Sequence, residues 1–128
     1  MTTDLPGAGM VCMLTTYGPA GAVHSRPVTL WPGDCPQDLL VITERDAAKV
    51  DEIAANAQVG LAGPTADGWW SAEGAAALDP DAAAATLRAA GLPSNLRETI
   101  VRITLTRIRR WTVTGDGPWD NTYVEESF

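Results

Sequence analysis

Met10 to Thr16 (MVCMLTT) is a compact apolar run with β-branched ends, and Gly18-Pro-Ala-Gly21 follows it with residues that favour chain reversal. A second extended segment, Ala22 to Leu30 (AVHSRPVTL), folds back on the first, so a β-hairpin is expected here. Strand side chains alternate, which sets Val23 and Ser25 on one face and Ala22, His24 and Arg26 on the other. Pro27 has no N–H to give a ladder and marks an edge, a bulge or a gap facing a ligand.

After the Trp31 to Pro36 loop, Asp38 to Thr43 (DLLVIT) reads as a third strand. Ala47, Val50, Ile53 and Ala54 then recur at helical spacing, with Asp46 suited to the start of the helix and Asn56 to its end. Gln58 to Ala62 and Trp69 to Ala77 read as further strands around a Thr65-Ala-Asp-Gly68 turn, with Gly74 at a bulge or close backbone approach. Asp79-Pro80-Asp81 supplies cap, first-turn proline and acid for an alanine-rich helix of about three turns, which Gly91 and Pro93 close. From Glu98 onward Val101, Ile103 and Leu105 alternate with polar residues. The phase then slips to Ile108, Trp111 and Val113, which a bulge near Arg107 to Arg110 explains.

The stretch Gly115 to Phe128 holds four acids and no base, with Trp119, Tyr123 and Phe128 among polar residues. It reads as a frayed tail or as an arm that docks its aromatics on a partner subunit. The pattern as a whole is mainly β with short helices (α+β), and about six strands suit a small antiparallel barrel, closed or partly opened.

At 128 residues, 45% apolar and 20% charged, the chain is supplied for one domain with one core. Sixteen acidic residues against nine basic ones leave a formal charge of −7. Such a charge repels polyphosphates, so no nucleic acid partner is expected. The first residues lack a basic n-region and an apolar h-region, and no apolar run approaches the roughly 20 residues of a membrane span. A soluble, cytoplasmic protein without a membrane partner is expected. Cys12 and Cys35 read as buried thiols, and with His24 the lone histidine no metal site is expected.

Arg26, Arg45 and Lys49 are the only basic residues in the first 87 positions, and they bracket the third strand. A strand arginine, the Thr43 hydroxyl and a lysine in the next helix's first turn have the chemistry to converge on one phosphate. The alternative is a solvated helix start in which Arg45 and Lys49 pair with Asp46, Asp51 or Glu52. His24, a lone strand histidine beside a turn, is expected to be structural rather than a general base. No nucleophile elbow, P-loop or GxGxxG string is present, and no catalytic residue is assigned.

The series Met13-Leu-Thr-Thr, Val23-His-Ser-Arg-Pro-Val28, Leu40-Val-Ile-Thr43, Lys49-Val, Glu52-Ile and Trp70-Ser-Ala-Glu-Gly-Ala-Ala resembles the pyridoxamine 5′-phosphate oxidase-like superfamily of FMN-binding split β-barrels, its general stress protein branch in particular. The resemblance covers residues 10 to 77, with a weaker stretch at Val101 to Trp111. It implies a split-barrel domain over 1–114, a tail or dimer arm over 115–128, and a homodimer with FMN at the interface. Arg26, Thr43 and Lys49 would then meet the phosphate, and the backbone around Ser25 to Val28, Pro27 included, with Ile42, would line the rest of the cofactor. Trp69 would contact the ring edge, and Trp111 would approach from the second subunit.

The chain departs from the family in its short N-terminus, its alanine-rich stretch after Gly74 and its Trp69-Trp70 pair. Three functions stand at this point. The first is a flavin- or deazaflavin-dependent oxidoreductase acting on a small molecule. The second is a cofactor-free barrel that binds or converts an apolar small molecule in the interface pocket. The third is an interaction module that docks through its tail.

Overall fold

The computed structural model describes residues 10–33, 35, 37–79, 82–89, 91–92, 98–117 and 120–128. The expected hairpin is present: β1 (Met10–Tyr17) and β2 (Val23–Pro32) pair antiparallel in unbroken register from Met10↔Leu30 to Tyr17↔Val23. A 3-10 turn at Pro19–Gly21 joins them, with Gly21 at φ +77°, a conformation that glycine adopts without a Cβ clash. Then come β3 (Asp38–Glu44), α1 (Ala48–Ala55), β4 (Gln58–Pro64), β5 (Gly68–Asp79), α2 (Ala83–Ala89), β6 (Glu98–Val113) and β7 (Asn121–Ser127).

The strands run in the order β3-β2-β1-β4-β5-β6, and a further β3–β6 pairing closes them into a six-stranded antiparallel barrel. β6 makes that closure possible by sharing one edge between two neighbours. Its first half, Glu98 to Thr104, pairs with β3, and its second half, Arg107 to Val113, pairs with β7. Residues 121–127 of the acidic C-terminal stretch are therefore a strand in register with the barrel wall.

Alternation fills the interior. Leu14, Leu30, Leu39, Val41, Val101, Ile103, Leu105 and Ile108 are all but fully buried in one cluster with Trp70 and Ala72. α1 adds Ile53 to the same cluster from the loop between β3 and β4. A smaller cluster lies on the other face of β3 and β6, where Leu40 and Ile100 are buried against Trp31 and Ala82.

Several local expectations shift. The helix start falls on Ala47, which supplies no side-chain cap, so Asp46 sits in the preceding turn; Asn56 ends the helix as expected. α2 spans seven residues rather than three turns, with Ala82 N–H donating to Asp79 Oδ1 (3.1 Å). Pro80, Asp81 and Pro93 lie outside the described residues. The phase slip in β6 comes from a bulge at Thr106, just before the stretch expected for it: Glu73 pairs with Arg107 and Gly74 with Leu105. Positions buried inside the barrel are odd before it (Val101, Ile103, Leu105) and even after it (Ile108). Neither cysteine is bridged; Cys12 is buried on β1, but Cys35 lies in the β2–β3 loop and is exposed, contrary to the expected buried thiol. Among the described residues no helix is long and apolar enough to cross a membrane, and no cluster of His, Cys, Asp or Glu could hold a metal ion.

Candidate functional site: a cleft in the barrel wall

β2 and β3 pair only at Trp31↔Leu40 and Pro32↔Leu39 and then part. Below those rungs each strand keeps its other neighbour, β1 for β2 and β6 for β3, but presents the facing edge to open space. Pro27 lies on this stretch, where its missing N–H costs no ladder bond on the open side. The parted strands border a cavity of about 330 Å³. Pro27, Val28 and Thr29 wall it from β2, Val41 and Ile42 from β3, and Lys49 from α1, with Val11 and Trp31 also in its wall. Four of the expected binding residues, Pro27, Val28, Ile42 and Lys49, thus share one cavity.

Lys49 is the charged group of that wall. Partial burial and the nearby Arg26 charge hold its ammonium below its ordinary value. Among the described residues no carboxylate lies within salt-bridge distance of it, so its charge is open to an anion brought from outside.

Arg26 is engaged elsewhere. Alternation turns it to the face opposite Pro27, where its Nη1 donates to Thr16 Oγ1 (2.8 Å) and its Nη2 to Glu52 Oε1 (3.0 Å). Thr16 in turn donates to the same carboxylate oxygen (3.1 Å), and His24 Nδ1 meets Glu52 Oε2 (2.5 Å). Glu52 is 10% exposed and Arg26 23%, so the pair is shielded enough to count for more than a surface bridge. Partial burial pushes the Glu52 carboxyl up, but the hydrogen bonds from His24 and Thr16 and the charges of His24 and Arg26 outweigh it and hold the group below its ordinary value. Gly18 leaves room for this carboxylate, since a Cβ there would lie 3.0 Å from Glu52 Oε2.

Thr43 stands opposite Thr99 in the β3–β6 ladder and is not in the cavity wall. Arg45 donates through Nε to the Glu98 carbonyl (3.0 Å) rather than joining an anion site. Trp69 and Trp111 stand opposite each other in the β5–β6 ladder and are not in the cavity wall. Trp69 is 60% exposed, and the Trp111 ring lies 5.3 Å from that of Tyr123 on β7, centroid to centroid. Exposed Met13 and Val11 lie on the same outer face, reached through the Met13↔Ala62 and Ala62↔Ser71 rungs. Val11 also walls the cavity, so an apolar surface runs from the cleft toward the aromatic shelf.

Glu52 is the partner of Arg26, whereas its spacing in the sequence pointed to Arg45 or Lys49. The signal was the shared face of His24 and Arg26 on one strand, two nitrogen-bearing side chains that need an acceptor when half-buried. Thr29, Trp31 and Val11 carried no signal beyond their place near Pro27.

No curated protein matches the sequence. Among solved structures the fold recurs in a pyridoxamine 5′-phosphate oxidase-related, FMN-binding protein from Nostoc punctiforme PCC 73102, at 13% identity and TM-score 0.65 over 92% of this chain and 86% of that one. General Stress Protein 26 from Bacillus anthracis str. Sterne is 18% identical, TM-score 0.65, over 92% and 89%. An F420 reductase is 16% identical, TM-score 0.64, over 79% and 90%. At such identities the likeness is one of fold. The family described as pyridoxamine 5′-phosphate oxidase like matches residues 3–87, two thirds of the sequence and the whole of the cleft just described. This chain belongs to the pyridoxamine 5′-phosphate oxidase-like family.

Proposed function

We propose that this protein is a cytoplasmic, homodimeric oxidoreductase that binds FMN or a deazaflavin in the β2–β3 cleft and acts on a small molecule. The observation that carries the reading is the cleft itself: two strands parted over apolar side chains, with one accessible cation, Lys49, in the wall. The donor set suits such a group. Pro27, Val28 and Ile42 offer an apolar slot for a flat ring system and exclude water from its face. Open strand edges offer backbone partners, Lys49 attracts an anionic tail, and on this reading Thr43 and Arg26 would join it at the phosphate. Bound flavin supplies hydride or electron transfer through its own ring, so the chain needs no acid–base pair.

A second copy of the chain is the reading's other requirement. Val11, Met13, Trp69 and Tyr123 expose an apolar face beside the cleft, and a partner laid there would cover it and bring Trp69 or Trp111 to the cleft's open side. Titrating the purified protein with FMN and with F420, removing unbound ligand and recording an absorption spectrum tests the reading. Retained absorbance that is lost in the Lys49→Gln variant supports it. A colourless protein that ignores both and takes apolar ligands supports the cofactor-free alternative, which the engagement of Arg26 by Glu52 favours.

A further inference from the structure

Glu52 does more than pair with a neighbour: Oε1 accepts from both Arg26 and Thr16 while Oε2 meets His24. One carboxylate therefore draws on donors from β1 and β2, while α1, the helix that carries it, also sends Lys49 into the cavity wall. Lys49 and Glu52 stand one helical turn apart on α1, so the guanidinium that bonds Glu52 (3.0 Å) is held beside the turn that carries Lys49, and its charge acts on that ammonium. An anion arriving at Lys49 therefore meets an arginine already bonded to an acid.

We propose that Glu52 is a built-in competitor for the anionic group of the cleft's ligand, holding the Arg26 guanidinium until a ligand phosphate displaces it. The inference rests on the flavin-site reading for the identity of the ligand, but the competition itself concerns any phosphate. Three consequences follow from the charges. With Glu52 in place, the two cations and one carboxylate carry a net single positive charge, which suits a weakly held or singly charged ligand. Displacing Glu52 exposes both cations to a phosphate, and the released carboxylate keeps His24 as a partner. Glu52 is thus a residue that sets affinity and charge preference without touching the ring-binding walls.

The chain has one histidine, so the His24 Cε1–H resonance is an isolated reporter of Glu52. Inorganic phosphate titrated into the wild-type protein should shift that signal saturably, and should leave it unmoved in Arg26→Gln. In equilibrium titrations Glu52→Gln should bind FMN about tenfold more tightly than wild type, the worth of one charge-assisted bond regained by the ligand, with riboflavin affinity unchanged. The Arg26→Gln/Glu52→Gln double variant should lose that gain.

A His24 signal indifferent to phosphate overturns the proposal, as does a Glu52→Gln protein that binds FMN and riboflavin with equal losses. A wild-type protein that takes neither FMN nor riboflavin, while phosphate still moves His24, overturns the flavin reading and leaves the competition standing. The phosphate arm uses wild-type protein, so it decides the matter even if Glu52→Gln does not fold.

Discussion

The β5–β6 ribbon and the β2–β3 seam are built from the same kind of strand and hold together very differently. Twelve rungs join β5 to β6, interrupted by one bulge, whereas two rungs join β2 to β3 before they separate. The ribbon is sealed on its inner face by Trp70, Ala72, Ile103 and Ile108, all buried. The seam is walled by Pro27, Thr29 and Ile42, which retain access to solvent. Ladder and core secure the first; in the second the missing ladder is what opens the cavity. If the proposed binding site is right, stability and binding fall to different strand pairs, and substitutions should separate them.

The greatest loss is expected at Gly68, where a Cβ would fall 1.8 Å from the Trp111 carbonyl oxygen, a backbone atom with nowhere to go. Gly68→Val should cost about 4 kcal/mol in urea denaturation or prevent folding, while Thr29→Val in the seam should stay within about 0.5 kcal/mol. Equal losses would erase the contrast. Ile108→Ala, 2% exposed in the parent, should cost about 3 kcal/mol. Ile42→Ala should cost about 1 kcal/mol, its main effect being on FMN binding.

Lys49→Gln sharpens the same division: FMN affinity should fall about tenfold while stability moves by less than about 0.5 kcal/mol. A large stability loss there would make Lys49 structural.

Acid should weaken both regions. Glu52, paired with Arg26 of β2, and Glu73 in the ribbon are each held below their ordinary value, Glu73 by the hydrogen bond from Arg109 (2.7 Å). The folded state then binds fewer protons than the unfolded one, so stability is full above the ordinary carboxylate range and falls as pH drops through it. Glu52→Gln and Glu73→Gln should each flatten that slope in urea titrations run from pH 7 downward, and no change in either would contradict the pairing. The smallest effect is chemical. Burial pushes the Cys12 thiol up to about 11, whereas Cys35 is exposed in the loop leading into β3, so alkylation of the native protein near pH 8 should label Cys35 alone.

Much of the fold could be read locally. Gly18 to Gly21 announced the hairpin, Pro27 announced a stretch of β2 that has a paired neighbour on one side only, and Gly74 announced the irregularity in β5. The β3–β6 closure had no such mark, because it joins residues some sixty positions apart through side chains that are apolar on both faces. The same limit applies to the site. Pro27 and Lys49 stood out by their own chemistry, whereas Val28 and Ile42 could be named only through the family resemblance. The Arg26–Glu52 pair needed the packing of α1 against the strands, and helical spacing alone offered Glu52 nearer partners.

Thr106, the surplus residue of β6, has a meaning for how this chain tolerates change in length. Its hydroxyl donates to the Glu73 carbonyl and its own carbonyl accepts the Phe128 N–H, so it is fastened at the point where one neighbour strand hands over to another. Elsewhere in a strand, losing one residue turns every following side chain inside out. At Thr106 the count is already one too many, and a deletion would leave Ile108 indoors and Trp111 outdoors.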